Sequence, residues 1–199
     1  MSTREYRKSS YSRKTGETDI RVKFNLDGTG AAAVETGLPF LNHMLSLFAR
    51  HGRFDLNLKA DGDLEVDAHH TVEDVGITLG AAVGKALGDK KGIKRFGAAY
   101  VPMDEALARV VVDLSGRPFL NYDVDFPCRK KETFNTGLVE EFMRGFAMEL
   151  KTTLHVKLLY GKDGHHIAES VFKALGIALD DATRIDPRIT DVPSTKGKL

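Results

Sequence analysis

The chain has 199 residues, a formal net charge of +1 and a hydrophobic fraction of 42%. The balanced charge argues against a general affinity for nucleic acid or other polyanions. The single cysteine, Cys128, excludes an internal disulfide and a thiolate metal cluster. The sequence contains neither the apolar core of a signal peptide nor an apolar run of membrane-spanning length. We therefore expect a cytoplasmic globular protein with no nucleic-acid or membrane partner.

The predicted elements, taken in chain order, form two similar blocks. The first block comprises a hairpin over residues 4–13 and 17–26, a helix after Pro39, a strand at 54–59 and a helix at 70–87. The second comprises strands at 97–103, 106–114 and 119–125, a helix at 136–150, a strand at 152–159 and a helix at 166–183. This order predicts an α+β fold with mixed sheets and helices packed on one face of each sheet.

The second block repeats the sequence of the first. Residues 69–73 and 165–169 both read His-His-x-x-Glu, 96 positions apart, and Gly80 and Gly176 match at the same offset. Upstream, the segments that begin at Glu17 and Glu105 match at an offset of 88. We interpret this as a duplicated half-domain of roughly 90 residues. We predict one pseudo-two-fold domain over 1–199, with half-repeats at about 4–92 and 93–190 and a tail at 191–199.

Each His-His-x-x-Glu segment combines residue types that bind divalent metals. If the segment opens a helix, the first histidine and the glutamate lie at i,i+4 and their side chains are neighbours. The two adjacent imidazoles diverge by about 100° around the helix, so they are placed to serve different ions. The repeat predicts a two-metal site with nitrogen and oxygen ligands, for which the candidates are His69, His70, Glu73, His165, His166 and Glu169.

One further ligand for each metal is expected from the preceding helix of each half. His43 lies 26 residues before His69, and Glu141 lies 24 residues before His165. An imidazole and a carboxylate both bind Mn²⁺, Fe²⁺ or Zn²⁺, so the exchange is chemically tolerable. We interpret the two remaining histidines, His51 and His155, as structural.

The residues alone leave the function open. Paired metals activate water in many hydrolases, so a two-metal hydrolase or phosphatase is one possibility. A protein that uses metal only to assemble its chains is another. Without a sulfur ligand, a six-coordinate Mn²⁺ or Fe²⁺ suits the ligand set, whereas intrinsic affinity favours Zn²⁺.

Eight segments of the chain resemble the imidazoleglycerol-phosphate dehydratase family. They are ETDIRV, LPFLNHML, DAHHTVED, KRFG, PMDEAL, DLSGRPFL, GHHIAES and the terminal PSTKGKL, so the resemblance runs from Tyr6 to Leu199. It implies a hydro-lyase of histidine biosynthesis that converts imidazole glycerol phosphate to imidazole acetol phosphate and water. It also implies two Mn²⁺ ions in each active site, and active sites shared between the chains of a 24-chain homo-oligomer. Many relatives have histidine where this chain has Glu141.

The resemblance also assigns roles to individual residues. Glu17, His70 and Glu169 are expected to be catalytic, with Glu17 transferring a proton or holding the imidazole. The expected substrate-binding residues are Glu17, Arg95, Arg117, Lys173, Ser194 and Lys196, the last five around the phosphate. No carbonyl acidifies the proton that is lost, so the imidazole ring must act as the electron sink. We expect a metal-bound imidazolate and a diazafulvene-like intermediate.

Overall fold

A computed structural model describes residues 7–127, 130–131 and 134–199 of the chain. Cys128, to which the sequence assigns no function, lies outside the described residues. None of the helices in the described part of the chain has both the length and the apolarity needed to cross a membrane.

The first half forms a four-stranded sheet with two helices on one face. Its strands are β1 (Lys8–Lys14), β2 (Thr18–Asn25), β3 (Ala32–Glu35) and β4 (Asp55–Gly62), in the order β1-β2-β4-β3. Helix α1 (Pro39–Gly52) joins β3 to β4, and helix α2 (His69–Leu87) follows β4. Alternate residues of β2, including Ile20, Val22 and Phe24, are buried beneath the helices. The period of two seen in the sequence therefore places one face of the sheet in the core.

The second half has the same architecture. Its strands are β5 (Phe96–Met103), β6 (Ala106–Asp113), β7 (Phe119–Asp123) and, after two short strands, β10 (Thr153–Tyr160), in the order β5-β6-β10-β7. The short strands are β8 (Lys130–Lys131) and β9 (Phe134–Asn135). Helix α3 (Leu138–Leu150) precedes β10, and helix α4 (Gly164–Thr183) follows it. In each sheet the last strand of the order pairs in parallel and the other neighbours pair antiparallel. This confirms the duplicated α+β fold.

The helices pack in two pairs, and each pair contains a close backbone contact at glycine. Helix α1 packs on α4, and α2 packs on α3. A Cβ atom added at Gly176 would overlap the carbonyl oxygen of Phe48, and one at Gly76 would overlap that of Phe142. His43 contacts Glu169 near the start of α4, and Phe48, further along α1, contacts Gly176, further along α4. The two helices therefore run parallel. Their N-terminal turns consequently lie side by side.

The sequence missed one strand of the first sheet. β3 is only four residues long and is mostly exposed, so it lacks the apolar alternation that signals a strand. It pairs in parallel with β4, which follows it in the chain only after α1. A local sequence pattern does not predict such a distant pairing. Strands β8 and β9 were also missed, because two residues are too few to show an alternation. The boundaries predicted for the other elements differ from those observed by a few residues.

We predict that Gly76→Ala lowers the free energy of unfolding by about 1–3 kcal/mol, because the added methyl group forces α2 away from α3. Gly84→Ala in the same helix is the matched control, since its Cβ would meet only the Leu150 side chain at 3.7 Å. The control should be neutral or stabilising by up to about 1 kcal/mol. Thermal or denaturant unfolding of both variants tests the prediction, and equal stability of the two would contradict it.

Candidate active site

The N-terminal turns of α1 and α4 bring together three potential metal ligands. The Nε2 atoms of His43 and His165 lie 3.1 and 2.9 Å from Oε1 of Glu169. Among the residues that the structure describes, this is the one group of three such side chains whose ligand atoms all lie within 4.8 Å of one another. Two imidazole nitrogens and one carboxylate oxygen fit a divalent transition metal. His43 and His165 come from different halves of the chain, so the cluster depends on the α1–α4 contact.

Lys173 holds the other oxygen of Glu169. Its Nζ lies 2.6 Å from Glu169 Oε2 and 3.2 Å from the sulfur of Met103. Burial acts to raise the pKa of the Glu169 carboxyl, but the hydrogen bonds from Lys173, His43 and His165 outweigh it and lower that pKa to about 2. The carboxylate is therefore ionised over the whole physiological range, as a metal ligand must be.

The related residues, His69 and Glu73 of the first half and Glu141 of the second, do not form such a close group among the described residues. Nε2 of His69 lies 3.5 Å from Oε2 of Glu73, and the side chains of both residues are 43% exposed. Glu141 approaches Arg144, at 3.9 Å. Position 77, the repeat equivalent of Lys173, is an isoleucine, so no lysine pairs with Glu73 in the way that Lys173 pairs with Glu169. Two carboxylates and one imidazole here replace the two imidazoles and one carboxylate of the His43–His165–Glu169 cluster.

The second histidine of each segment faces a different carboxylate. His70 Nδ1 lies 2.9 Å from Asp63 Oδ2, and its Nε2 lies 3.8 Å from Glu17 Oε1. The hydrogen bond to Asp63 raises the pKa of the His70 imidazole. The His69 and His70 rings are 6.0 Å apart and nearly perpendicular. The divergence expected from helix geometry is therefore present, and His70 points away from the ligands of its own segment.

His166 makes the equivalent contact with Glu105. Its Nδ1 lies 2.6 Å from Glu105 Oε2, while Oε1 of Glu105 accepts hydrogen bonds from the backbone N–H groups of Lys162 and Asp163. These hydrogen bonds, that of Asp163 first, lower the pKa of Glu105 to about 2. Glu105 matches Glu17 in the repeat, but both of its oxygens are engaged in holding the helix start and His166.

Arg95, expected at the phosphate, also anchors the C-terminal tail. Its guanidinium donates through Nε and Nη2 to Asp113 at 2.7 and 3.2 Å, and through Nη1 to the carbonyl oxygen of Pro193 at 2.9 Å. A guanidinium has five N–H donors, so two are left without a partner in the described part of the chain. Arg95 thus fixes the point where the tail begins.

The tail then folds back toward Arg117. Leu199 lies against Gly116, which has φ +72° and no space for a side chain. Between Pro193 and Leu199, the tail forms a turn in which the Ser194 hydroxyl accepts from the backbone N–H of Lys196 at 3.2 Å. Four of the five residues expected at the phosphate, Arg95, Arg117, Ser194 and Lys196, are therefore gathered at one end of the molecule.

That end is remote from the three-ligand cluster of the same chain. The backbone of Arg95 is hydrogen-bonded to Ala182 near the end of α4, whereas His165 opens that helix. The intervening 17 residues of helix span about 26 Å. Lys173, the fifth residue expected at the phosphate, belongs to the cluster end.

Comparison with known proteins agrees with the resemblance drawn from the sequence. The family model for imidazoleglycerol-phosphate dehydratase matches residues 36–179. The chain belongs to this family. A relative from Acetivibrio thermocellus, named imidazoleglycerol-phosphate dehydratase, is 60% identical, over 97% of this chain and 99% of its own length. The relative of the same name from Bacillus subtilis is 58% identical, over 97% and 100%.

Solved structures of the family share the fold. The crystal structure of IGPD from Pyrococcus furiosus, in complex with (S)-C348, has a TM-score of 0.82 and 41% identity, covering 94% of this chain and 99% of that one. The Staphylococcus aureus dehydratase has a TM-score of 0.79 and 40% identity, over 89% and 100%. The chain is accordingly a hydro-lyase of histidine biosynthesis that acts on a small molecule.

The structure also adds residues that the sequence did not single out. Asp63 directly follows β4 and carries no motif, although a carboxylate seven residues before a histidine could have been noticed. Met103 contacts Lys173 only through the tertiary fold. Of the two histidines interpreted as structural, His155 is exposed on β10 beside Phe119. His51 is in the last turn of α1, where burial lowers its pKa.

We predict that Glu169→Ala lowers the stability of the metal-free protein by about 3 kcal/mol, because it leaves the mostly buried Lys173 ammonium without its carboxylate. Glu73→Ala is the matched control at the equivalent repeat position, where the side chain is 43% exposed. It should cost less than about 1 kcal/mol. Unfolding measured in the presence of a chelator compares them, and similar losses in the two variants would show that the Lys173 pair is not stabilising.

Proposed function

We propose that the chain removes water from imidazole glycerol phosphate, giving imidazole acetol phosphate, with two divalent cations in each active site. The observation that carries the proposal is the convergence of His43, His165 and Glu169 within 4.8 Å. The repeat supplies the second set. Mn²⁺ suits oxygen and imidazole ligands without sulfur, and Fe²⁺ or Zn²⁺ are chemically possible.

The candidate ligands divide into two sets and two additional histidines. His43, His165 and Glu169 would hold one cation. His69, Glu73 and Glu141 would hold the other, with the Glu141 carboxylate in place of an imidazole. The Nε2 atoms of His70 and His166 point away from the His-His-x-x-Glu segments that contain them. His70 would therefore bind a different cation from His69, and His166 a different cation from His165. When bound, the cations supply Lewis acidity at an imidazole nitrogen and at a hydroxyl oxygen of the substrate.

Glu17 is the proposed proton-transfer residue. Its carboxylate lies at the start of β2, is 55% exposed and stands 3.8 Å from Nε2 of His70. It is therefore free to reach a substrate that contacts His70, unlike Glu105, whose oxygens are engaged. We assign to Glu17 the removal of the proton from the substrate carbon or the holding of the imidazole ring. His70 and Glu169 remain the other residues proposed as catalytic, as ligands that would hold the cations against the substrate.

We predict that Glu17→Gln lowers turnover by about 10²–10⁴-fold, since a glutamine cannot accept the proton. Mn²⁺ content and thermal stability should match those of the parent. Glu35→Gln, an exposed carboxylate of the same sheet, is the control and should leave turnover unchanged. The assay follows the keto product and free phosphate from imidazole glycerol phosphate. Undiminished keto product from Glu17→Gln would remove its role, and release of free phosphate by the parent would indicate a phosphatase instead.

The phosphate of the substrate is proposed to bind at the tail end of the molecule. Two N–H groups of Arg95 have no partner among the described residues, Arg117 is exposed, and Ser194 and Lys196 lie in the turn between two anchored points of the tail. Arginine forks and a lysine ammonium suit a phosphate dianion. Lys173 would contribute from the cluster end.

These two ends cannot serve one substrate within a single chain, because about 26 Å of helix separates them. We therefore propose that active sites are shared between copies of the chain. The outer face of the second sheet supports a copy contact, since Phe96, Tyr100 and Phe119 on it are each more than half exposed. The equivalent face of the first sheet is polar, with Lys23, Asn57 and Lys59. Exposed aromatic side chains next to Arg95 and Arg117 are typical of a protein contact.

We predict that two inactive variants, Arg95→Ala and His43→Ala, regain activity when they are co-assembled. A shared site lets an intact metal set from one chain meet an intact phosphate site from another. Equal co-expression with separable tags, followed by turnover measurements on mixed assemblies, tests this. Mixing each variant with itself is the control. No recovery in verified mixed assemblies would mean that each chain uses its own residues at both ends.

A further inference from the structure

Asp63 holds His70 by one ring nitrogen and leaves the other available. The Asp63 carboxylate is mostly buried, and its Oδ2 lies 2.9 Å from Nδ1 of His70. The other oxygen of Asp63 is buried without a hydrogen-bond partner among the described residues. His70 Nε2 points outward to the space shared with Glu17. Among the described residues, the imidazole of His70 is therefore the hydrogen-bond partner of the Asp63 carboxylate.

Glu105 holds His166 in the same way, although it comes from a different place in the repeat. Asp63 directly follows β4, and the residue that directly follows β10 is Gly161. The contact in the second half is made instead from the turn between β5 and β6, where Glu105 lies 2.6 Å from His166 Nδ1. The repeat match of Glu105 is Glu17, which lies 3.8 Å from the other nitrogen, Nε2, of His70. The duplication therefore does not by itself explain why Asp63 and Glu105 both contact Nδ1. Their common feature is the chemistry at Nδ1.

That chemistry determines which nitrogen can bind a metal. A neutral imidazole has one N–H and one lone pair, and an ionised carboxylate can only accept a hydrogen bond. Asp63 and Glu105 therefore require the proton on Nδ1, which places the lone pair on Nε2. In metal sites generally, a carboxylate behind a histidine ligand fixes its tautomer and orientation and raises its basicity.

We propose that Asp63 and Glu105 are positioning residues that fix the Nδ1–H tautomer of His70 and His166 and so make Nε2 the metal-binding nitrogen. The proposal rests on the metal sites of the proposed function, but its structural part is separable from them. The alternative is an ordinary ion pair, in which both nitrogens of each imidazole carry protons.

The tautomer can be measured without any metal. Solid-state NMR of chelator-treated protein with ¹⁵N-labelled histidine, at about pH 9, well above the ordinary imidazole pKa of about 6.5, reports which nitrogen is protonated. His70→Ala and His166→Ala identify the two signals. We expect Nδ1–H for both residues and a mixture of tautomers for His70 in Asp63→Ala. Asp61→Ala, an exposed carboxylate of the same strand end, should leave the spectrum unchanged. A proton on Nε2, or on both nitrogens, would overturn the proposal.

The consequence for metal is measured by titrating free Mn²⁺ with electron paramagnetic resonance. Asp63→Ala should weaken one class of bound Mn²⁺ by about 10–100-fold, and Asp63→Asn, whose amide oxygen still accepts from Nδ1–H, should restore most of the affinity. Asp61→Ala should bind as the parent does. Unchanged affinity in Asp63→Ala would refute the positioning role. A parent protein that binds no Mn²⁺ would refute the proposed metal sites, while the NMR result would still decide the tautomer.

Discussion

The contact between parallel helices at glycine is the constraint on which the site depends. Gly176 lets α4 approach the backbone of Phe48 in α1, and Gly76 lets α2 approach that of Phe142 in α3. Because the helices of each pair run in the same direction, their N-terminal turns meet. His43 consequently reaches Glu169, which is 126 residues away in the chain. A larger residue at Gly176 would move α4 away from α1 and so increase the distance between His43 and Glu169, although neither ligand would be changed.

The two halves keep one architecture but have diverged in charge. In the His43–His165–Glu169 cluster, Lys173 neutralises the single carboxylate, and the three ligand atoms lie within 4.8 Å of one another. The set of His69, Glu73 and Glu141 has a second carboxylate, and Ile77 occupies the repeat position of Lys173. Like charges repel, so two carboxylates disfavour the close approach that a single carboxylate paired with a lysine permits. The difference in spacing between the two sets follows from composition rather than from a different fold.

The sequence predicted most of the fold and the principal histidines, because both depend on periodic or repeated patterns. Alternation in β2, the apolar stripe of α1 and the doubled His-His-x-x-Glu segment are local signals. The role of Asp63 could not be predicted in the same way, because it depends on the contact with His70, which only the folded chain brings about. The separation of Arg95 from His165 was equally hidden, because motifs give the identity of residues but not the end of the molecule they occupy. The roles assigned to individual site residues remain predictions.

The placement of Pro193 on Arg95 at one end of α4, with His165 at the other, has a consequence for symmetry. If each copy gives one end to one neighbour and its opposite end to another, the two contacting patches are different surfaces. Such a head-to-tail association either propagates as a filament or closes into a ring. A discrete assembly of this design needs ring closure, and in a closed ring every chain gives each of its two ends to one shared active site.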